Sequence, residues 1–147
     1  MKSVTRLCLL WLAFAATGGH AAAPDQSLVG CWRTDKIVLY AQDGSKTEDT
    51  SGRCTLQFKE DQFESTCRTT AGTATSTYQY RIVRPSVYSA TMTGSTFRTT
   101  LLGSAREYEY RVDGDRLVTV AKTQATSSAS STGAPRVEAE AMRTPCH

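Results

Sequence analysis

Residues 77–120, TYQYRIVRPSVYSATMTGSTFRTTLLGSAREYEYRVDGDRLVTV, alternate apolar and polar side chains in short runs broken by turn residues. That period of two is expected of antiparallel strands. A turn centred on Pro85 sets Ile82 opposite Tyr88, Tyr80 opposite Ala90 and Tyr78 opposite Met92. A second turn around Gly94-Ser95 places Met92 beside Phe97, Ala90 beside Thr99 and Tyr88 beside Leu101. A two-residue turn at Gly103-Ser104 then puts Thr99 beside Tyr108 and Phe97 beside Tyr110, and a three-residue loop at Asp113-Gly114-Asp115 sets Tyr110 against Val118 and Tyr108 against Val120. With these loop lengths one face persists through four turns, whereas a slip of one residue would send its side chains to the other side. Asp-Gly between alternating runs is the strongest local hairpin signal in the chain.

Working toward the N-terminus, Arg53 to Lys59 alternates, turns at Glu60-Asp61 and continues from Gln62 to Arg68. A two-residue turn pairs Lys59 with Gln62, Phe58 with Phe63, Leu56 with Ser65 and Cys54 with Cys67. Counted outward from a hydrogen-bonded Lys59/Gln62 pair, the two cysteines meet at a non-hydrogen-bonded position, where Cα atoms lie about 4.5 Å apart and a disulfide fits. Cys31 and Cys146 remain to pair with each other, closing a loop of over a hundred residues. Apart from Cys8 near the N-terminus, the four cysteines are an even set with no C-x-x-C spacing, which reads as a disulfide framework, not a redox or metal site.

The first residues look like an address. Lys2 and Arg6 precede an apolar run, Leu7 to Ala16, followed by the small residues of TGGHAAA at 17–23. This is the layout of a secretory signal peptide, and the run is far short of the roughly 20 residues that span a bilayer. Residues 1–23 are therefore expected to be a leader, cleaved after Ala21 or Ala23 and carrying Cys8 away, with 24–147 forming one domain. Without Lys2 and Arg6, fifteen basic residues face fourteen acidic ones of interspersed sign, so the basic stripe of a nucleic-acid binder is absent. No later segment is apolar enough for a transmembrane helix. The chain has no asparagine, and Arg outnumbers Lys, choices that point to a GC-rich bacterial genome and so to export to the periplasm or outside the cell.

Helix signals are nearly absent between residues 28 and 124. The expected architecture is all-β, an up-and-down antiparallel meander of about 8–10 strands, closed as a small disulfide-stapled barrel because closure removes exposed edges. Two polar stretches interrupt it: 42–52, read as a loop, and the Ser/Thr/Ala-rich 125–135, read as a flexible loop without chemistry. In 137–142, Val137, Ala139 and Ala141 alternate with Glu138 and Glu140 as a last strand would, while Ala, Glu and Met also suit a short helix.

Gly30-Cys31-Trp32, at the start of this meander, resembles the G-x-W opening of lipocalins and related calycin barrels. The resemblance implies that Gly30 and Trp32 lie on the first strand, that the indole covers the closed end of the barrel, and that a basic side chain from the last strand crosses it. Arg143 is the best-placed match, since a Cys31–Cys146 bridge brings it near Trp32, and Arg136 is the alternative. No T-D-Y-like second motif and no helix before the last strand accompany the motif.

Chemistry is scarce. His20 belongs to the leader and His147 is the last residue, so no internal histidine is available to a nucleophile–base pair, and no metal ligand set or cofactor motif is present. Glu107 and Glu109 alternate away from the tyrosine face, and Asp113 and Asp115 belong to a turn. An enzyme is therefore not expected. The tyrosine-rich face of Tyr78, Tyr80, Tyr88, Tyr108 and Tyr110, with Met92 and Phe97, is the candidate lining of a pocket, because buried phenols bring hydroxyls that need partners. The expected partner is a small apolar or amphipathic molecule. The alternative is a filled barrel that binds another protein through its surface, as a periplasmic inhibitor or immunity-type protein would.

Overall fold

The computed structural model describes residues 22–122 and 136–147; the expected leader up to residue 21 and all of the 125–135 stretch lie outside the described residues. Nine strands follow in order: β1 (Gly30–Tyr40), β2 (Lys46–Asp49), β3 (Cys54–Phe58), β4 (Gln62–Thr69), β5 (Gly72–Arg84), β6 (Val87–Ser95), β7 (Ala105–Asp113), β8 (Arg116–Lys122) and β9 (Arg136–Thr144). All pairings are antiparallel, and no helix occurs among the described residues. The 137–142 segment is thus strand.

Closure happens at β1. One edge of it pairs with β9 from Cys31–Thr144 to Tyr40–Arg136, while its other edge pairs first with β3, Gly30–Phe58 to Thr34–Cys54, and then with β2, Ile37–Asp49 to Tyr40–Lys46. A bulge between Thr34 and Lys36 marks the change of partner, where an extra residue lets the strand bend around the barrel. Eight strands, β1 and β3–β9, therefore close the barrel, and β2 extends the wall beside the upper half of β1. The 42–52 stretch, read as loop, contains β2.

The hairpin registers read from the sequence hold on both sides of the Glu60-Asp61 and Pro85-Ser86 turns. Phe58 pairs with Phe63, Leu56 with Ser65 and Cys54 with Cys67; Ile82 pairs with Tyr88, Tyr80 with Ala90 and Tyr78 with Met92. Both disulfides form as expected, Cys54–Cys67 with Cα atoms 4.1 Å apart and Cys31–Cys146 with Cα atoms 5.2 Å apart.

The meander differs at two later turns. Residues 96–104 are a loop, not a strand, so Phe97, Thr99 and Leu101 do not pair with Met92, Ala90 and Tyr88; Tyr88 instead faces Tyr108 directly, and Ala90 faces Arg106. Short hydroxyl side chains explain this, because they offer local backbone groups an alternative to the ladder. Ser95 Oγ donates to Phe97 O, Thr99 Oγ1 accepts from Leu101 N, and Ser104 Oγ donates to Leu101 O. At the next turn Asp113 pairs with Arg116, making the loop two residues with Gly114 at φ 58°. Tyr110 therefore pairs with Thr119 and Tyr108 with Ala121, so Leu117, Thr119 and Ala121 point inward in place of Val118 and Val120. A glycine at the first of two loop positions matches the strand twist better than the three-residue loop expected.

Inside, one end is aromatic and tightly filled. Leu28, Trp32, Phe58, Phe63, Tyr80, Tyr88, Tyr110 and Leu117 form the buried cluster, with Phe58 stacked on Phe63 at 4.8 Å and edge-on to Tyr80 at 5.5 Å. Other buried positions are Thr34, Val38, Ser76, Met92, Thr119 and Ala121.

Candidate ligand-binding site

The closed end is built around Trp32, which is fully buried and donates from Nε1 to Leu28 O at 2.9 Å. Arg143 of β9 lies over the indole with its guanidinium carbon 4.1 Å from the ring centroid. Its fork donates to Val29 O at 3.0 Å and Ser27 O at 2.7 Å, so one side chain holds both the ring and the approaching chain. Gly30 makes room for it: φ is 132°, and a Cβ there would fall 2.7 Å from Arg143 Nη1. Arg136, the alternative, instead covers the Tyr40 ring at 4.1 Å.

Two tyrosines belong to this plug. Tyr80 donates to Lys59 O at 2.6 Å in the turn beneath it, and burial pushes its phenol up to about 12. Tyr110 donates to Asp25 Oδ2 at 2.6 Å; burial, then this bond, raises its pKa, while the same bond, with one from Ser27, holds the Asp25 carboxyl below its ordinary value. Asp25, just ahead of the barrel, escaped notice in the sequence because nothing there couples it to Tyr110.

Three other tyrosines belong to stacked aromatic pairs at or against the same cluster. Phe63 stacks on Tyr78 at 4.4 Å and Tyr88 on Tyr108 at 4.9 Å, both nearly parallel. Tyr88 is only 2% exposed, and its pKa is raised well above the phenol value by burial and then by Tyr108, Tyr80, Tyr78 and Tyr110. Burial raises Tyr108 too, opposed by the charge of Arg106. No described residue hydrogen-bonds the hydroxyls of Tyr78, Tyr88 or Tyr108, although none of them is sealed off without a partner. Met92 is buried beside Tyr78, its cross-strand partner.

Arg106 joins this group. Its partner Ala90 is buried on the inner face, and Arg106 alternates with Tyr108 and Tyr110 on β7. The alternation in Arg106-Glu-Tyr-Glu-Tyr110 carries the same signal in the sequence. Phe97, expected in the lining, is 46% exposed on the 96–104 loop and lines nothing inside the barrel.

The acidic pairs lie elsewhere. Glu107 is on the outer wall, bridged to Arg84 at 2.7 Å, and Asp113 and Asp115 flank the β7–β8 turn. Outer concavities of about 480 Å³ beside Gln79, Arg81 and Thr91, and of about 430 Å³ beside Arg33, Gln57 and His147, are lined mainly by polar side chains. Among the described residues no group of three or more His, Cys, Asp or Glu is placed to hold a metal, and no helix is long and apolar enough to cross a membrane.

No family model and no curated protein matches the chain. Among solved structures it is similar to a lipocalin-like protein from Bacteroides uniformis, at 11% identity and a TM-score of 0.52, over 80% of this chain and 99% of that one. An uncharacterized protein from Bacteroides eggerthii matches at 11% identity and a TM-score of 0.49, over 79% and 98% of the two chains. A de novo designed fluorescence-activating β-barrel matches at 17% identity and a TM-score of 0.42, over 81% and 95%. The first likeness and the closed sheet agree: the chain folds as a lipocalin-like barrel. The two disulfides suit an oxidising environment.

Proposed function

We propose that the chain is an exported, non-enzymatic binding protein that holds a small, partly apolar molecule in its barrel. The observation that carries this reading is the aromatic face of Tyr78, Tyr88 and Tyr108, whose hydroxyls bond no described protein group and so remain able to bond an occupant. The stacked pairs Phe63/Tyr78 and Tyr88/Tyr108 offer flat apolar walls to the rest of that molecule. Export is supported by the leader-like residues 1–23 and by the disulfides.

Native mass spectrometry of protein purified gently from its secreting host is the test. The expected result is a mass above that of a chain beginning at Ala22 or Pro24, with a small molecule released on denaturation. Adding that molecule back at a hundredfold its Kd raises stability by about 2.7 kcal/mol. An unliganded mass, with no thermal shift across a lipophile panel, overturns the reading. The second reading, a surface that binds another protein, then gains, since Leu39, Phe97, Leu102 and Met142 are large apolar residues left exposed.

A further inference from the structure

We propose that the β6–β7 loop, 96–104, is a docking tip for an anionic phospholipid surface, with Phe97 and Leu102 entering the bilayer interface and Arg98 and Arg68 meeting its headgroups. Such docking uses the outside of the barrel and is independent of what the interior holds.

The charge is one-sided along a long run of sequence. From Ser65 to Arg106 the chain carries Arg68, Arg81, Arg84, Arg98 and Arg106 but neither Asp nor Glu. Arg84 is answered by Glu107, from just beyond the run, whereas Arg68 and Arg98 are exposed and ion-pair with no described residue. Topology sends both to one end. β6 leaves the Pro85-Ser86 turn near Tyr110 and ends at Ser95, opposite Ser76, while Arg68 pairs with Thr73 beside the β4–β5 turn at that same end. Asp43, Glu48 and Asp49 share this end but belong to the β1–β2 side, four strands from β6 either way round the closed barrel. They are also occupied: Glu48 bridges Lys36 and Lys46, Asp49 bridges Arg53, and Asp43 accepts from Ser45.

The loop is built to enter an interface. Thr96 N–H donates to Thr75 O and Gly103 N–H to Met92 O, so both of its ends are stitched to the sheet. Between them the hydroxyls of Ser95, Thr99 and Ser104 bond the loop's own backbone, which lowers the cost of taking those groups out of water. Phe97 and Leu102, 46% and 54% exposed, are two of the four large apolar side chains left exposed among the described residues. Two such side chains fall far short of the roughly 800 Å² per partner of a stable protein interface. A bilayer asks for less, because it offers a continuous apolar layer beneath charged headgroups, and arginines at the rim of the tip answer anionic ones.

The test is sedimentation of the oxidised protein, as its host exports it, with vesicles of phosphatidylcholine alone or containing about a third phosphatidylglycerol. At low salt the anionic vesicles are expected to bind about tenfold tighter or more, a preference lost in about 1 M salt, where the screening length is about 3 Å. Arg98→Gln lowers anionic binding about fivefold, the worth of one basic residue near such a surface, and Arg68→Gln acts in the same direction. Phe97→Ser with Leu102→Ser lowers it about tenfold or more. Leu39→Ser with Met142→Ser, exposed apolar residues of the barrel wall, leaves it unchanged. All six side chains are exposed, so these variants keep the parent's melting temperature. Phe97→Trp reads insertion directly, its emission moving to the blue on anionic vesicles. Equal binding to the two vesicles, no blue shift, or binding that survives Phe97→Ser with Leu102→Ser overturns the docking tip. A parent that ignores vesicles but forms a dimer dissolved by the same pair also overturns it and gives the tip to a second copy of the chain.

Discussion

Asp25 and Tyr110 join the segment before β1 to the barrel by a 2.6 Å bond from the phenol to the carboxylate. The bond favours the charged carboxylate and so lowers the Asp25 pKa in the folded chain. A depressed carboxyl pKa contributes stability that is complete above the unfolded value of about 3.9 and disappears as pH falls through the folded value. Urea melts of the parent and Asp25→Asn should therefore differ at pH 6 and draw together as the pH falls below the ordinary carboxyl range, and Tyr110→Phe should remove most of the difference, since this bond is the largest cause of the shift. A gap that persists unchanged at pH 2.5 would assign the effect to packing alone. Residues of this kind differ in how far the sequence reveals them. Gly30, Trp32 and Arg143 were legible because a short motif and a disulfide place them, while Asp25 and Arg106 were not, since each matters only through a partner 85 and 16 residues away in the chain.

The hairpins show why some registers can be read from sequence and others cannot. Around Glu60-Asp61 and Pro85-Ser86, large apolar pairs such as Phe58/Phe63 and Ile82/Tyr88 lie close to a short turn, so the wrong pairing would expose them at once. Between β6 and β7 the chain offers TFRTTLLGS, whose hydroxyls bond locally and whose alternation resembles a strand. Alternation there is no guide, because a nine-residue connection, 96–104, replaces a ladder. The loop leaves Phe97 and Leu102 exposed and is held to the sheet at its two ends, by Thr96 on Thr75 and by Gly103 and Ser104 on Met92. Limited trypsin treatment of the oxidised protein should therefore nick after Arg98 with little loss of β-sheet signal, the two pieces staying joined through Cys31–Cys146 until reduced and denatured. Resistance at Arg98 under conditions that cleave elsewhere would mean the loop is covered.

At the scale of the whole molecule, the chain is closed by joining its beginning to its end. The β1–β9 ladder runs from Cys31–Thr144 to Tyr40–Arg136, and the Cys31–Cys146 bridge, 115 residues apart in sequence, clamps it at the Trp32 end. The Cys54–Cys67 bridge spans only 13 residues within one hairpin, whose pairing a two-residue turn already favours. Loop-closure entropy in the unfolded chain makes the long bridge worth about 5 kcal/mol and the short one about 3. Cys31→Ala with Cys146→Ala should consequently lower the urea midpoint more than Cys54→Ala with Cys67→Ala. The first pair should also expose Trp32 to quenchers at denaturant concentrations where the second still shields it, because only the first frees both ends that cover the indole. If the short-bridge variant is the less stable of the two, the interior packing of the Cys54–Cys67 pair outweighs chain entropy, and barrel closure depends on strand pairing and on Arg143 over Trp32 rather than on the covalent clamp.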